Sequence, residues 1–269
     1  MEQKRKAAKK PKIVTKPYLQ GRMLDRHLLS GGLKFLGAQA MMAFVFLLLS
    51  TLLMVSNRVL CLILNAVILC ACYLLFYNSG AGKGEADVTL GETLYMRQEN
   101  GHTVTSEEKQ GCYHKLKGFA RGFVGTVPLL VCAILLACTA QVQMTGLSSL
   151  PSWLSTYESR AEIGDALAYY HTASGLGLEN IMRIVIRVCI MPMVSMVGTS
   201  NNQGLLLLER LSPLAVLLPA VAYGIGYTQG PKLRTKVHTN IASNDRKRVK
   251  REKKQQQERA KRKAPEQLN

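Results

Sequence analysis

A chain of 269 residues with 48% hydrophobic residues has an average composition close to that of a soluble protein, but the average merges long apolar runs with two polar ends. The net charge of +18 sits at those ends: residues 1–34 carry ten Lys and Arg, residues 232–269 carry fourteen, and eleven of the 35 remain between them. Six of the seven cysteines (Cys61, Cys70, Cys72, Cys132, Cys138, Cys189) fall in apolar runs, where a thiol behaves as a small hydrophobe, which argues against a disulfide framework.

Residues 1–32 read as a basic arm, disordered at its start. From Tyr18 to Leu29, residues Leu19, Met23, Leu24 and Leu28 supply enough apolar character for a short amphipathic helix on a membrane surface. Two long apolar runs follow, about 33–56 and 59–77, broken only by Asn57 and Arg58. Each has the length of a membrane span, and the break permits only a tight helical hairpin. The first run is too long and starts too late for a cleavable leader. Asn65 in the second run lies about as deep as Ser50 and Thr51 in the first, so an interhelical hydrogen bond is expected there, as structural glue before any transport role.

Residues 78–118 are polar and read as a cytoplasmic loop. Asn100-Gly101 is a hairpin turn or a helix stop, and Thr105-Ser106-Glu107-Glu108 has the spacing of a capping box, so two short helices are expected. The third span covers about 123–143 and contains Pro128. Gly118, Gly122 and Thr126 precede or open it at the four-residue spacing that lets helices pack closely. Residues 144–179 hold Arg160 as their one Lys or Arg and read as an external loop, with Trp153 and tyrosines for an interfacial helix.

The segment 181–197 is ambiguous, because it is apolar but carries Arg183 and Arg187. The run 205–227 is a further span, preceded or opened by Glu209 and Arg210. If both crossed the bilayer there would be five spans, with the basic ends on opposite sides and the positive-inside rule broken at one of them. The expected fold is therefore an all-α integral membrane protein: a polytopic bundle of four full spans with 181–197 re-entrant or interfacial. Five spans are the alternative. Residues 33–228 form the membrane domain and 229–269 a basic cytoplasmic tail, in which any helix over 243–264 would be solvated. Both termini are expected in the cytoplasm of a bacterial plasma membrane.

Arg183 and Arg187 share a helical face, with Glu179 one turn earlier. The bland reading has them reach headgroup phosphates while Glu179 pairs with Arg183; the sharper one has them contact an anionic substrate or a specific lipid headgroup. Gly80-Ala81-Gly82-Lys83-Gly84 superficially resembles a phosphate loop but lacks its spacing and its Ser or Thr. His102, Cys112 and His114 lack paired metal-ligand spacing, and no protease or hydrolase motif stands on any helix. No catalytic residue, metal or cofactor is expected. Three functional classes follow: a non-enzymatic scaffold or accessory subunit, a small-solute transporter or channel component with Arg183 and Arg187 near an anion path, and a tether for ribosome or nucleic acid through residues 232–269. The bilayer and its anionic headgroups are the expected partners, with other membrane proteins or nucleic acid beside them.

Overall fold

The computed structural model describes residues 13–49, 57–140, 178–198 and 201–263. Among these, every regular element is a helix: α1 (Leu28–Leu48), α2 (Arg58–Glu99), α3 (Ser106–Gly111), α4 (Lys117–Thr139), α5 (Leu178–Cys189), α6 (Met191–Val197), α7 (Asn202–Thr228) and α8 (Gly230–Lys263). Four of them, α1, α2, α4 and α7, are long and apolar enough to cross a membrane. Their outward faces carry Phe44, Ile63, Val67, Leu74, Val131, Leu135, Leu214 and Leu218, whereas Gln39, Asn65, Thr126 and Ser212 are buried between helices. Apolar outside and polar inside is the inverse of a water-soluble bundle and suits an apolar solvent.

The helix boundaries have local causes. Asn57 opens α2 by accepting from the Val59 and Leu60 amides, so the two-residue break is an N-cap. Thr105 and Glu108 form the expected reciprocal capping box on α3. Asn100-Gly101 acts as a helix stop, with Gly101 at φ 82. Asn201 caps α7 through the Gly204 amide.

α7 is the central helix, packed on α2 along one side and on α4 along another, while α1 packs on α4. Glycine makes the α2–α7 seam. A Cβ on Gly80 would collide with the Tyr223 carbonyl, one on Gly84 with the Tyr227 carbonyl, and one on Gly226 with the Tyr77 carbonyl. The glycine run that mimics a phosphate loop is thus a stretch of α2 with Gly80 and Gly84 one turn apart on its α7 face. On α4, a Cβ on Gly122 would stand 3.1 Å from the Ala220 carbonyl, and one on Gly118 would strike the Tyr227 ring. The close packing expected from the 118/122/126 spacing is present.

α5 and α6 are bent 92° to each other. Arg183 and Arg187 of α5 meet Glu209 in the first part of α7, and the Ile190 turn lies deeper, packed in a core cluster with Leu136, Ala215 and Val216. α6 then comes back, because the Cys61 thiol near the start of α2 donates to the Ser195 carbonyl and α6 ends just before α7 begins. The pair enters and leaves at one end of the bundle, as the re-entrant reading of 181–197 requires. Residues 13–27 and α8 lie together at the opposite end, where α8 packs on α2.

Two expectations need correction. Residues 18–27 are not an amphipathic helix but a largely irregular strap: the Leu19 amide donates to the Gly91 carbonyl, the Gly21 amide to the Tyr113 carbonyl, and Tyr18 meets Tyr113 edge-on. Bonds to other elements replace the helical ladder. Residues 78–99 are not loop, because α2 runs on through them as support for the strap and α8; of the two short helices expected between 78 and 118, α3 is one and the other is this continuation. α8 starts ahead of the solvated stretch expected from residue 243, and its base is packed, with His238 buried, whereas Asn244 to Glu258 are exposed. Smaller shifts set the start of α1 at Leu28 and of α4 at Lys117, each taking in its glycines, and that of α7 at Asn202. The 144–179 loop, apart from Leu178 and Glu179, and residues 50–56 lie outside the described residues.

Candidate functional site

The concentrated chemistry of this molecule lies where the strap, α2, α4 and α7 converge. Asp25 ends the strap, Asp87 stands on the α2 extension, and Lys117 and Arg121 occupy successive turns of α4. Arg121 bridges the two carboxylates, donating from Nη1 to Asp87 and from Nη2 to Asp25, both at 2.9 Å. Lys117 Nζ lies 2.7 Å from Asp25 and also donates to the carbonyls of Gln110, Gly111 and Cys112 at 2.7, 3.0 and 3.2 Å. It thereby satisfies the end of α3 with a cation. The Tyr227 hydroxyl donates to Asp87 at 2.7 Å, and its ring stacks on Tyr113 with centroids 5.3 Å apart.

Both carboxylates and both cations of this cluster are buried, so their charges balance inside the protein. Lys83, half-exposed and 3.0 Å from the second oxygen of Asp87, and the exposed Lys34 add positive charge at the rim. Between α1 and α2 above the cluster lies a cavity of about 430 Å³, with Lys34 and Phe35 on one wall, Phe76 and Lys83 on the other, and Asp25 and Arg121 at its base. Asp25 Oδ1 and Arg121 Nε are buried there without a hydrogen-bond partner.

Burial pushes the Asp25 carboxyl up, but the combined pull of Lys117 and Arg121 outweighs it and holds the group below the ordinary carboxylate value. A carboxylate lowered in the fold stabilises it fully above its unfolded pKa and loses that contribution as pH falls through the folded value. The melting temperature of the solubilised chain should therefore change little through Asp25 between pH 7 and about 5, then fall below about pH 4. Asp25→Asn should flatten part of that acid-side fall, a difference that calorimetry across pH will read. Burial also pushes the Cys112 thiol up despite the pull of Lys117, which suits an inert thiol rather than a nucleophile.

A second cluster stands near the other end. Buried Glu209 accepts from Arg187 Nε at 2.8 Å and pairs ionically with Arg187 Nη2 at 2.6 Å and Arg183 Nε at 3.0 Å, while Arg183 Nη2 donates to Glu179 at 3.0 Å. The pairing of Arg183 with Glu179 expected from the sequence is present, and Glu209, read there only as opening the last span, is the buried counter-ion of both arginines. A third, Glu92, lies 2.8 Å from both Arg234 and His238 and fastens α8 to α2. Asn65 is fully buried and donates to the Cys61 carbonyl at 2.8 Å; its expected partners Ser50 and Thr51 lie outside the described residues.

Sequence reasoning missed Asp25, Asp87, Glu92, Lys117 and Arg121. One signal was available: Lys117 and Arg121 stand one turn apart at the opening of an apolar run, interleaved with Gly118 and Gly122, which puts a cationic face beside a close-packing face. Among the described residues, no group of three or more His, Cys, Asp and Glu is arranged to hold a metal ion. The charged groups are arranged to clamp elements together. No family model matches this chain, and no curated protein or solved structure is significantly similar to it.

Proposed function

We propose that this chain is a four-span membrane protein with both ends in the cytoplasm, acting without catalysis as a scaffold that holds a basic helix against an anionic surface. The observation that carries the reading is α8. Its base is tied to α2 through Glu92, and from Asn244 to Glu258 every residue is exposed. That stretch holds seven Lys and Arg (Arg246, Lys247, Arg248, Lys250, Arg251, Lys253, Lys254) against Asp245, Glu252 and Glu258. The exposed ion pairs Arg248–Glu252 at 3.3 Å and Lys254–Glu258 at 3.9 Å leave most of this charge for a partner. The cytoplasmic orientation is supported by the positive-inside rule, since the described strap, with Lys16, Arg22 and Arg26, and the basic α8 lie at one end of the bundle.

Anionic headgroups are the first partner, at about 1 kcal/mol per basic residue near the surface. A ribosome or other nucleic acid is the second reading. It is favoured by the scarcity of apolar residues on exposed α8, which has Val249 but no stripe to enter a bilayer. The transporter reading has less support, because Glu209 and Glu179 engage Arg183 and Arg187.

The test compares the full chain with one in which Arg246, Lys247, Arg248, Lys250 and Arg251 are changed to Gln. Each, in detergent, is sedimented with phosphatidylglycerol vesicles or with ribosomes over a salt series. The expected result is vesicle binding that falls with salt and weakens at least tenfold in the substituted chain. Salt-sensitive capture of ribosomes, lost in the same variant, would move the tether reading to first place. Equal binding by both chains in both assays would remove α8 as the gripping element.

A further inference from the structure

The cavity between α1 and α2 is built for one kind of molecule. Its polar base contains a donor, Arg121 Nε, and an acceptor, Asp25 Oδ1, each on a side chain at least 95% buried and each without a partner. Unmet donors and acceptors of this kind are costly unless a ligand or water satisfies them. The buried charges already cancel, so the surplus positive charge is that of Lys34 and Lys83 at the mouth, on opposite walls. A volume of about 430 Å³ lies within the range of small-ligand sites and suits a headgroup rather than a side chain.

The site is also amphipathic. Lys34, Ala38, Met41 and Val45 recur on one face of α1, all exposed, so an apolar track leads from the mouth toward the other end of the bundle. Past Phe76, which lines both spaces, a narrower apolar pocket of about 50 Å³ runs between Met42 and Phe46 of α1 and Leu69 of α2. α1 and α2 follow one another among the described helices, yet each packs mainly on other helices.

We infer that this cleft binds one anionic phospholipid with a hydroxylated headgroup. The phosphodiester lies between Lys34 and Lys83, with an oxygen accepting from Arg121 Nε. A headgroup hydroxyl donates to Asp25 Oδ1, and the acyl chains follow the Ala38–Met41–Val45 face. This site is distinct from the basic face of α8 and takes a single molecule in a shaped cavity. Because the strap residue Asp25 forms part of its base, the bound lipid joins the strap to α1 and α2.

The inference rests on the membrane reading, and its test keeps the two apart. Full-length chain in detergent is examined by native mass spectrometry after addition of phosphatidylglycerol or phosphatidylcholine. The expected result is one phosphatidylglycerol retained per chain, with phosphatidylcholine at least tenfold weaker. Lys34→Gln with Lys83→Gln should weaken retention by tenfold or more. Ala38→Trp, which fills the cleft at an exposed position and keeps every charge, should do the same with the thermal melt unchanged. Arg246→Gln, Lys247→Gln and Arg248→Gln together should leave this single lipid in place. Displacement of the lipid by millimolar inorganic phosphate would show a free-phosphate site and overturn the lipid assignment. Retention unaffected by both cleft variants, or equal for the two lipids, would overturn the cleft itself. Carbonate extraction of membranes from the same cells separates the premises: release of the chain counts against membrane insertion, whereas retention without lipid selectivity counts against the cleft alone.

Discussion

Arg121→Met is expected to destabilise the protein by about 3 kcal/mol or more, the scale for removing one partner of a buried ion pair. Arg121 holds Asp25 and Asp87 at 2.9 Å each, and with its charge gone two buried carboxylates rely on Lys117, Lys83 and the Tyr227 hydroxyl. Lys117 is 2.7 Å from Asp25 but 4.0 Å from Asp87, so it cannot replace the bridge. The loss should appear as a lower melting temperature in detergent and as easier proteolysis of the strap, whose Asp25 is tied to α4 by this residue. Asp87→Asn combined with Arg121→Met should cost less than the sum of the two single changes, with a coupling of about 1 kcal/mol or more. Strict additivity would mean that the two side chains do not act on each other as their geometry requires.

Gly80→Leu should have an effect of similar or larger size by a different mechanism. A Cβ at Gly80 would meet backbone, the Tyr223 carbonyl, which cannot turn aside as a flexible side chain would. Overpacking of this kind costs about 1–3 kcal/mol and sometimes more. Here it would part α2 from α7 at the level of the Phe35–Phe76–Tyr223 cluster that lines the cleft. Gly82→Leu is the control, since nothing lies within 4 Å of a Cβ at Gly82. Expression, monodispersity and melting temperature should collapse for the first and change little for the second. Equal tolerance of both would mean that α2 and α7 do not approach as described.

Features that depend on neighbours in sequence were legible before the fold was seen. The Asn57 break, the Thr105–Glu108 capping box, the Asn100-Gly101 stop and the Gly118/Gly122 face each need only a few residues of context. Charge arithmetic favoured a re-entrant 181–197, because an odd number of crossings would have split the basic ends. The ionic cluster was not legible in that way. Asp87 and Arg121 are 34 positions apart, Asp25 and Arg121 are 96, and Glu92 and His238 are 146. Pairs so distant meet only once the helices are packed.

The misread loop has a related cause. Residues 78–99 hold charges and four glycines, the composition of a connection. They are helical because the faces of that helix are all used: Gly80 and Gly84 against α7, Asp87 in the cluster, Gly91 against the strap and Glu92 against α8. Tertiary contact overrides the low helix propensity of glycine. The same run lacks the spacing of a phosphate loop, and the four-residue spacing of Gly80 and Gly84 sets both against α7.

The measurement that bears most directly on the account is the accessibility of two introduced cysteines, Asn202→Cys and Asn244→Cys, to a membrane-impermeant maleimide on intact cells with the outer barrier removed. The parent chain, whose seven cysteines set the background, is labelled in parallel. With four crossings and a re-entrant α5–α6 pair, Cys at 202 reacts from outside and Cys at 244 reacts only after the membrane is opened. The reverse pattern, 244 labelled in intact cells and 202 protected, would mean that the bundle is inserted the other way round or that 181–197 crosses the bilayer; in either case the basic helix faces outward, contradicting both the topology and the partner proposed for it.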